Sequence, residues 1–186
     1  SRVYVSGFSA GGAMANVLLA VAPDVFTRGQ VIAGLPFACV TSSLFAYSCM
    51  TAPPNRTPAE WGALVPGRPA PRVQLWHGTS DFTVASTNLT EEVDQWTHVN
   101  GIDTVADEMS AVGVATRKRF NDAAGITRDE SWLLSTTGHG TPVDVSNGCG
   151  AAGSYRQDVG ICSAEEGARF FGLLDVEVDA GVADAG

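Results

Sequence analysis

The feature that most constrains this chain lies within its first twenty residues. Arg2-Val3-Tyr4-Val5 is a short β-branched and aromatic run that leads into Gly7-Phe8-Ser9-Ala10-Gly11. The helix-forming stretch Ala13-Met14-Ala15-Asn16-Val17-Leu18-Leu19-Ala20 follows at once. A strand, a Gly-x-Ser-x-Gly turn and a helix, in that order, are what a nucleophile elbow requires. Such a turn is tight, so Gly7 and Gly11 are expected to leave room where a Cβ would strike neighbouring backbone. Ser9 then stands at the carboxyl edge of a sheet. Its hydroxyl meets a helix N-terminus, where the dipole favours developing negative charge. The same motif also arises by chance as an ordinary turn, so it needs partners elsewhere in the chain.

A serine hydroxyl is a weak nucleophile until a base takes its proton, and the base needs a carboxylate to hold its tautomer. Hydrolases built on this elbow supply them in the chain order serine, acid, histidine. Arg72 to Gly78 reads as a strand, with Thr79-Ser80-Asp81 just beyond its carboxyl end. Glu130 to Ser135 reads as a later strand, followed by the glycine turn Thr137-Gly138-His139-Gly140. Ser9, Asp81 and His139 are therefore the candidate catalytic residues. His77, at the end of a buried strand, and His98, on a helix, read as structural, because a general base needs a glycine-flanked loop above the sheet. Asp144 follows His139 too closely, and Asp103 and Asp107 follow a helix and not a strand. An oxyanion hole needs two backbone donors. The Ala10 N–H is one; the other is expected from a strand upstream of the nucleophile strand. No such strand precedes it here, so the sequence reads as the C-terminal portion of a longer fold.

The remaining elements fit the same plan. The first helix is expected over Ala10 to Ala22, stopped by Pro23. Val31 to Leu35 reads as a buried strand. Residues 37–71 carry six prolines and little periodicity. They read as a loop-rich excursion with a helical turn near Ala59 to Leu64, and Trp61 is its candidate for substrate contact. Asn88 reads as the cap of a helix that sets Leu89, Val93 and Trp96 on one face and ends near Gly101. Thr116 to Phe120 and Glu130 to Ser135 read as strands joined by a hairpin-like loop. Ser163-Ala164-Glu165-Glu166 reads as a capping box that opens a helix carrying Phe170 and Phe171. Trp76, Trp96 and Trp132 read as core. Asn55-Arg56-Thr57 and Asn88-Leu89-Thr90 match glycosylation sequons. Alternating strands and helices of this kind predict an α/β fold with a mostly parallel sheet and helices on both faces. Residues 1–174 form its catalytic portion, and the acidic, unpatterned residues 175–186 read as a linker or tail.

Composition narrows the function. A content of 45% hydrophobic and 17% charged residues is that of a folded domain. A net charge of −9 argues against nucleic acid and anionic membrane surfaces as partners. No apolar run is long enough to span a bilayer. No phosphate-binding loop or metal-ligand spacing stands out, so neither cofactor nor metal is expected. Cys39, Cys49, Cys149 and Cys162 allow three pairings, and joining each to its near neighbour is the simplest. A Cys149–Cys162 link would tie the segment after His139 to the last helix and limit the motion of the base. Two such disulfides imply an oxidising compartment, hence secretion.

With these residues in hand, the chain resembles the polyhydroxybutyrate depolymerase-like esterases, a group that includes feruloyl and acetylxylan esterases. The resemblance rests on Arg2-Val-Tyr-Val-Ser-Gly-Phe-Ser-Ala-Gly-Gly-Ala-Met14, Ala33-Gly-Leu-Pro-Phe-Ala-Cys39 and Trp76-His-Gly-Thr-Ser-Asp81. It continues through Gln95-Trp-Thr-His-Val-Asn-Gly101, Gly138-His-Gly-Thr-Pro142, Asp158-Val-Gly-Ile-Cys-Ser163 and Ala168-Arg-Phe-Phe-Gly172. Glu108 to Asp129 matches only loosely. The resemblance implies an α/β-hydrolase fold and a secreted serine hydrolase acting on an ester, polymeric in much of the group, with Ser9, Asp81 and His139 as its triad. It also implies strands and a His-Gly loop before the nucleophile strand. The rival readings are a prolyl-oligopeptidase-like serine peptidase and a non-catalytic binding module on the same scaffold.

Overall fold

A computed structural model describes residues 2–67 and 69–174; the expected linker at 175–186 lies outside the described residues. The elements in chain order are β1 (Val3–Phe8), α1 (Ala10–Val21), β2 (Phe26–Ile32), α2 (Ser43–Thr51), α3 (Pro58–Gly62), β3 (Arg72–Gly78) and α4 (Thr87–Asn100). They continue with β4 (Glu108–Val112), β5 (Ala115–Asn121), β6 (Thr127–Leu134), β7 (Thr141–Val143), β8 (Arg156–Asp158) and α5 (Ser163–Phe171). Six strands form one sheet in the order β1-β2-β3-β6-β5-β4. The β1, β2, β3 and β6 strands run parallel, and β5 and β4 add an antiparallel edge. β7 and β8 pair separately.

Alternation along β3 explains the layering. Val73 and Leu75 point to one face, where they join Ala15 and Leu19 of α1 and Leu89 and Trp96 of α4. Trp76 points to the other face and stacks on Trp132 with ring centroids 4.3 Å apart. That second face is covered by α5, whose Phe171 stacks on Tyr4. Helices on both faces make this an α/β-hydrolase type of sheet, as expected. Because the four strands are parallel, Phe8, Gly78 and Leu134 all end at the same edge. The chain leaves that edge into Ser9, Asp81 and His139.

A row of buried polar side chains crosses the sheet on the α5 face. Ser6 donates to Gln30 (2.8 Å), Gln30 to Gln74 (2.9 Å), Gln74 to Glu130 (2.7 Å), and Arg119 Nε to Glu130 (3.0 Å). These residues are cross-strand partners in register, so a one-residue slip of any strand would strand a buried polar group.

Several expectations are corrected. The second strand begins earlier, at Phe26, and ends at Ile32, because Ala33 adopts φ 47° and turns the chain away. The excursion after Phe37 carries the expected helical turn as α3, capped by Thr57 and Glu60, and in addition a helix where none is expected, α2 over Ser43–Thr51. Trp61 does not face substrate. It is fully buried, and its indole N–H donates to Glu91. Asn88 is not a cap; the N-cap is Ser86, and Asn88 lies buried in the first turn, donating to the Cys49 and Met50 carbonyls. Its sequon is therefore closed to modification, whereas Asn55 is exposed. Ser163 is the first residue of α5 and not its cap. Cys162 takes that position, and the Ser163 hydroxyl donates to the Pro142 carbonyl. The β4 strand, in the loosely matching stretch, stands where no strand is expected. Both near-neighbour disulfides, Cys39–Cys49 and Cys149–Cys162, are present. Among the described residues, no helix is long and apolar enough to cross a membrane.

Candidate active site

Ser9 sits between β1 and α1 with φ 57° and ψ −121°, a conformation that non-glycine residues rarely adopt. Its N–H donates to the Ile32 carbonyl (2.9 Å), and its carbonyl accepts from Ala13 N–H (3.0 Å), so both neighbours hold the strained turn. A Cβ on Gly7 would overlap the Gly11 carbonyl, which makes glycine obligatory there. Gly11 differs from expectation: a Cβ at that position meets open space. Ala10 opens α1 directly after Ser9, and its N–H belongs to the turn that a helix leaves without intrahelical partners.

Asp81 follows β3 in a loop laced to the one that carries His139. Thr79 N–H donates to the Leu134 carbonyl (2.8 Å) and Ser80 N–H to the Thr137 carbonyl (2.9 Å). Gly78 lets these loops approach, since a Cβ there would overlap the Thr137 carbonyl. The Asp81 side chain is fully buried. Its Oδ1 accepts from Thr83 N–H (2.9 Å) and Val84 N–H (2.8 Å). Its Oδ2 lies 2.6 Å from His139 Nδ1. A carboxylate only accepts, so Nδ1 carries the proton and Nε2 is left as the acceptor. Nε2 lies 2.9 Å from Ser9 Oγ. The line Ser9 to His139 to Asp81 is thus continuous, and it can carry the hydroxyl proton to the imidazole while the carboxylate stabilises the charge that forms.

The turn around His139 is more constrained than its glycines suggest. Gly138 N–H donates to Gln157 Oε1 on β8 (3.0 Å). The imidazole packs against Phe8 at 4.7 Å and meets the edge of Tyr155 at 6.2 Å. Tyr155 is 63% exposed and holds φ 60°. Spacing could not reveal Gln157 or Tyr155, because β8 has three residues and no periodicity to read.

The competitors lie elsewhere, with one exception. His98 is exposed on α4. Asp103 accepts from Val105 N–H and Asp107 from Asn121 N–H, and Asp144 is engaged by Ser146 and Asn147. His77 is the exception. It is buried, its Nε2 lies 2.9 Å from the Val84 carbonyl, and the same nitrogen stands 3.6 Å from Asp81 Oδ2. Burial holds its imidazole below the ordinary histidine range, although the Val84 carbonyl and Asp81 pull the other way. Among the described residues, no cluster of three or more His, Cys, Asp or Glu side chains could hold a metal ion.

Comparison with known proteins follows the same lines. The sequence profile of the family described as Esterase PHB depolymerase matches residues 1–119. A poly(3-hydroxyalkanoate) depolymerase C from Paucimonas lemoignei is 43% identical over 183 residues, covering 94% of this chain and 44% of that protein. A feruloyl esterase B from Talaromyces stipitatus is 35% identical over 159 residues, covering 78% of this chain and 44% of that protein. The chain therefore spans a little under half the length of these relatives. An acetyl xylan esterase from Aspergillus awamori superposes with a TM-score of 0.73 at 22% identity, over 93% of this chain and 60% of that one; at this identity the likeness is one of fold.

Proposed function

Because the chain belongs to the Esterase PHB depolymerase family, we propose that it is the catalytic part of a serine esterase in which Ser9, His139 and Asp81 form the triad. Residues 1–174 are assigned to this catalytic domain. The observation that carries the reading is the hydrogen-bond line from Ser9 Oγ through His139 to Asp81, formed by residues 58 and 130 positions apart.

In this reading Ser9 Oγ attacks the ester carbonyl carbon, and its proton passes to His139 Nε2. The carbonyl oxygen becomes an oxyanion near the Ala10 N–H and the N-terminus of α1. His139 then protonates the leaving alcohol oxygen, and an acyl group remains on Ser9. Water, deprotonated by His139, attacks that acyl carbon and releases the acid and free Ser9. Asp81 keeps His139 in the required tautomer and supports the imidazolium.

The identity to the Paucimonas lemoignei depolymerase supports a polyhydroxyalkanoate-type polyester as the first substrate to test. The feruloyl esterase relative supports feruloyl esters as the second. The two disulfides support a secreted protein.

The test is intact mass after incubation of the full-length protein with a fluorophosphonate, beside turnover of an aryl ester. One adduct per chain is expected, absent in Ser9→Ala. Turnover in that variant should fall by roughly 10⁴-fold or more. A full-length protein that neither labels nor turns over esters would end the reading.

A further inference from the structure

We propose that His77 is a positioning residue of the active site, holding the Asp81 carboxylate in the orientation that His139 needs. The proposal rests on the triad reading above. Sequence position alone marks His77 as a strand-end core residue; its neighbours in space point elsewhere.

The carbonyl oxygen of Val84 can only accept, so at 2.9 Å the His77 Nε2 must carry a proton. The N–H end of the imidazole therefore faces Asp81 Oδ2, 3.6 Å away. Val84 closes the unit. Its carbonyl takes the His77 proton, while its N–H donates to Asp81 Oδ1 at 2.8 Å. His77 thus grips the turn that binds one carboxylate oxygen and directs positive charge density at the other. Oδ2 is the oxygen that receives His139 Nδ1–H at 2.6 Å. Both side chains are fully withdrawn from solvent, where such an interaction is screened little.

The other ring nitrogen argues that this placement is not for packing. His77 Nδ1 is buried and has no hydrogen-bond partner among the described residues. An unpaired buried acceptor weakens a fold, and a phenylalanine at this site would carry none. A histidine that leaves one buried nitrogen unpaired, beside the one carboxylate oxygen that orients His139, is accounted for by its Nε2–H.

The test compares His77→Phe and His77→Gln in the full-length protein, with rates normalised to fluorophosphonate-titrated sites. The glutamine amide can reproduce Nε2–H; phenylalanine cannot. In His77→Phe, kcat per titrated site on an aryl ester is expected to fall by roughly tenfold or more with KM within about twofold, beyond any change in thermal midpoint. The downfield proton resonance of the His139–Asp81 hydrogen bond should weaken or shift in His77→Phe. His77→Gln should restore the resonance and most of kcat. A core-packing role would instead lower the melting temperature of both variants and leave kcat per titrated site and the resonance unchanged, and that result overturns the proposal. Equal loss of kcat in His77→Gln and His77→Phe overturns it too, and the glutamine variant alone decides if phenylalanine prevents folding. A wild-type protein that fails to label defeats the triad reading itself, which is a separate and recognisable outcome.

Discussion

The Gln157 side-chain oxygen accepts a 3.0 Å hydrogen bond from the backbone N–H of Gly138, so a residue 19 positions downstream fixes the turn that carries His139. The same side chain packs against Gly140 on the other side of the histidine. Glycines on both flanks make the turn geometrically permissive, and Gln157 removes the freedom that they introduce.

Gln157→Ala should therefore lower kcat for an aryl ester by roughly tenfold and change KM little, because His139, the proposed base, loses its place. Steady-state kinetics beside a thermal melt checks this. A melting temperature lowered in proportion to activity would mean that Gln157 acts only through stability.

The Cys149–Cys162 disulfide closes the segment that holds β8, Gln157 and Tyr155. Its removal as Cys149→Ser, Cys162→Ser should release about 3 kcal/mol of loop constraint. It should also lower kcat severalfold while the far-ultraviolet dichroism at room temperature stays unchanged. Unchanged turnover would show that the pairing of β7 with β8 holds the loop without the disulfide.

Gly7 and Gly11 should part company. Gly7→Ala forces a methyl into the Gly11 carbonyl, so the elbow cannot close, and little folded protein is expected. Gly11→Ala meets open space inside α1 and should leave the melting temperature level or raise stability by up to about 1 kcal/mol. Melting curves of the two variants decide the matter.

Glu92 should contribute stability that is lost as pH rises. It is fully buried on α4, its Oε1 accepts from Asn16 at 2.6 Å, and its Oε2 has no partner among the described residues. Burial pushes its carboxyl up to about 8 from an ordinary 4.5. The folded protein thus keeps a proton that the unfolded chain gives up. The contribution is fully present below about pH 4.5 and is lost as pH rises through about 8, by up to about 1.4 kcal/mol per pH unit. Burial pushes Asp129 up to about 8 as well, despite the Asn100 amide and Arg128, and adds the same sign. Glu92→Gln keeps an oxygen for Asn16 and loses the titration. Its unfolding free energy should depend less on pH between 5 and 8 than that of the wild type, as denaturant titrations at several pH values would reveal. Parallel curves for the two proteins would contradict the assignment.

What the sequence determined by itself is what short stretches encode. Strand, glycine turn and helix around Ser9, the strand end before Asp81 and the glycines around His139 are all local patterns, and chain order alone links them. Two near-neighbour disulfides are local in the same sense. Only the tertiary structure decided which side chains meet across the sheet. Trp61 lies in a proline-rich stretch that reads as a loop-rich excursion open to substrate, yet it is buried in one cluster with Leu35, Cys39, Cys49 and Val84, and Glu91 of α4 takes its indole N–H. Asn88 sits three residues before a glutamate like a cap, yet the carbonyls of α2 bury it. His77 looks like any strand-end residue, and Gln157 belongs to no element that the sequence makes legible, until Asp81 and Gly138 are brought beside them. Period and propensity report what a residue prefers along the chain, whereas burial and hydrogen-bond pairing depend on groups tens of residues away, and only the folded chain brings those together.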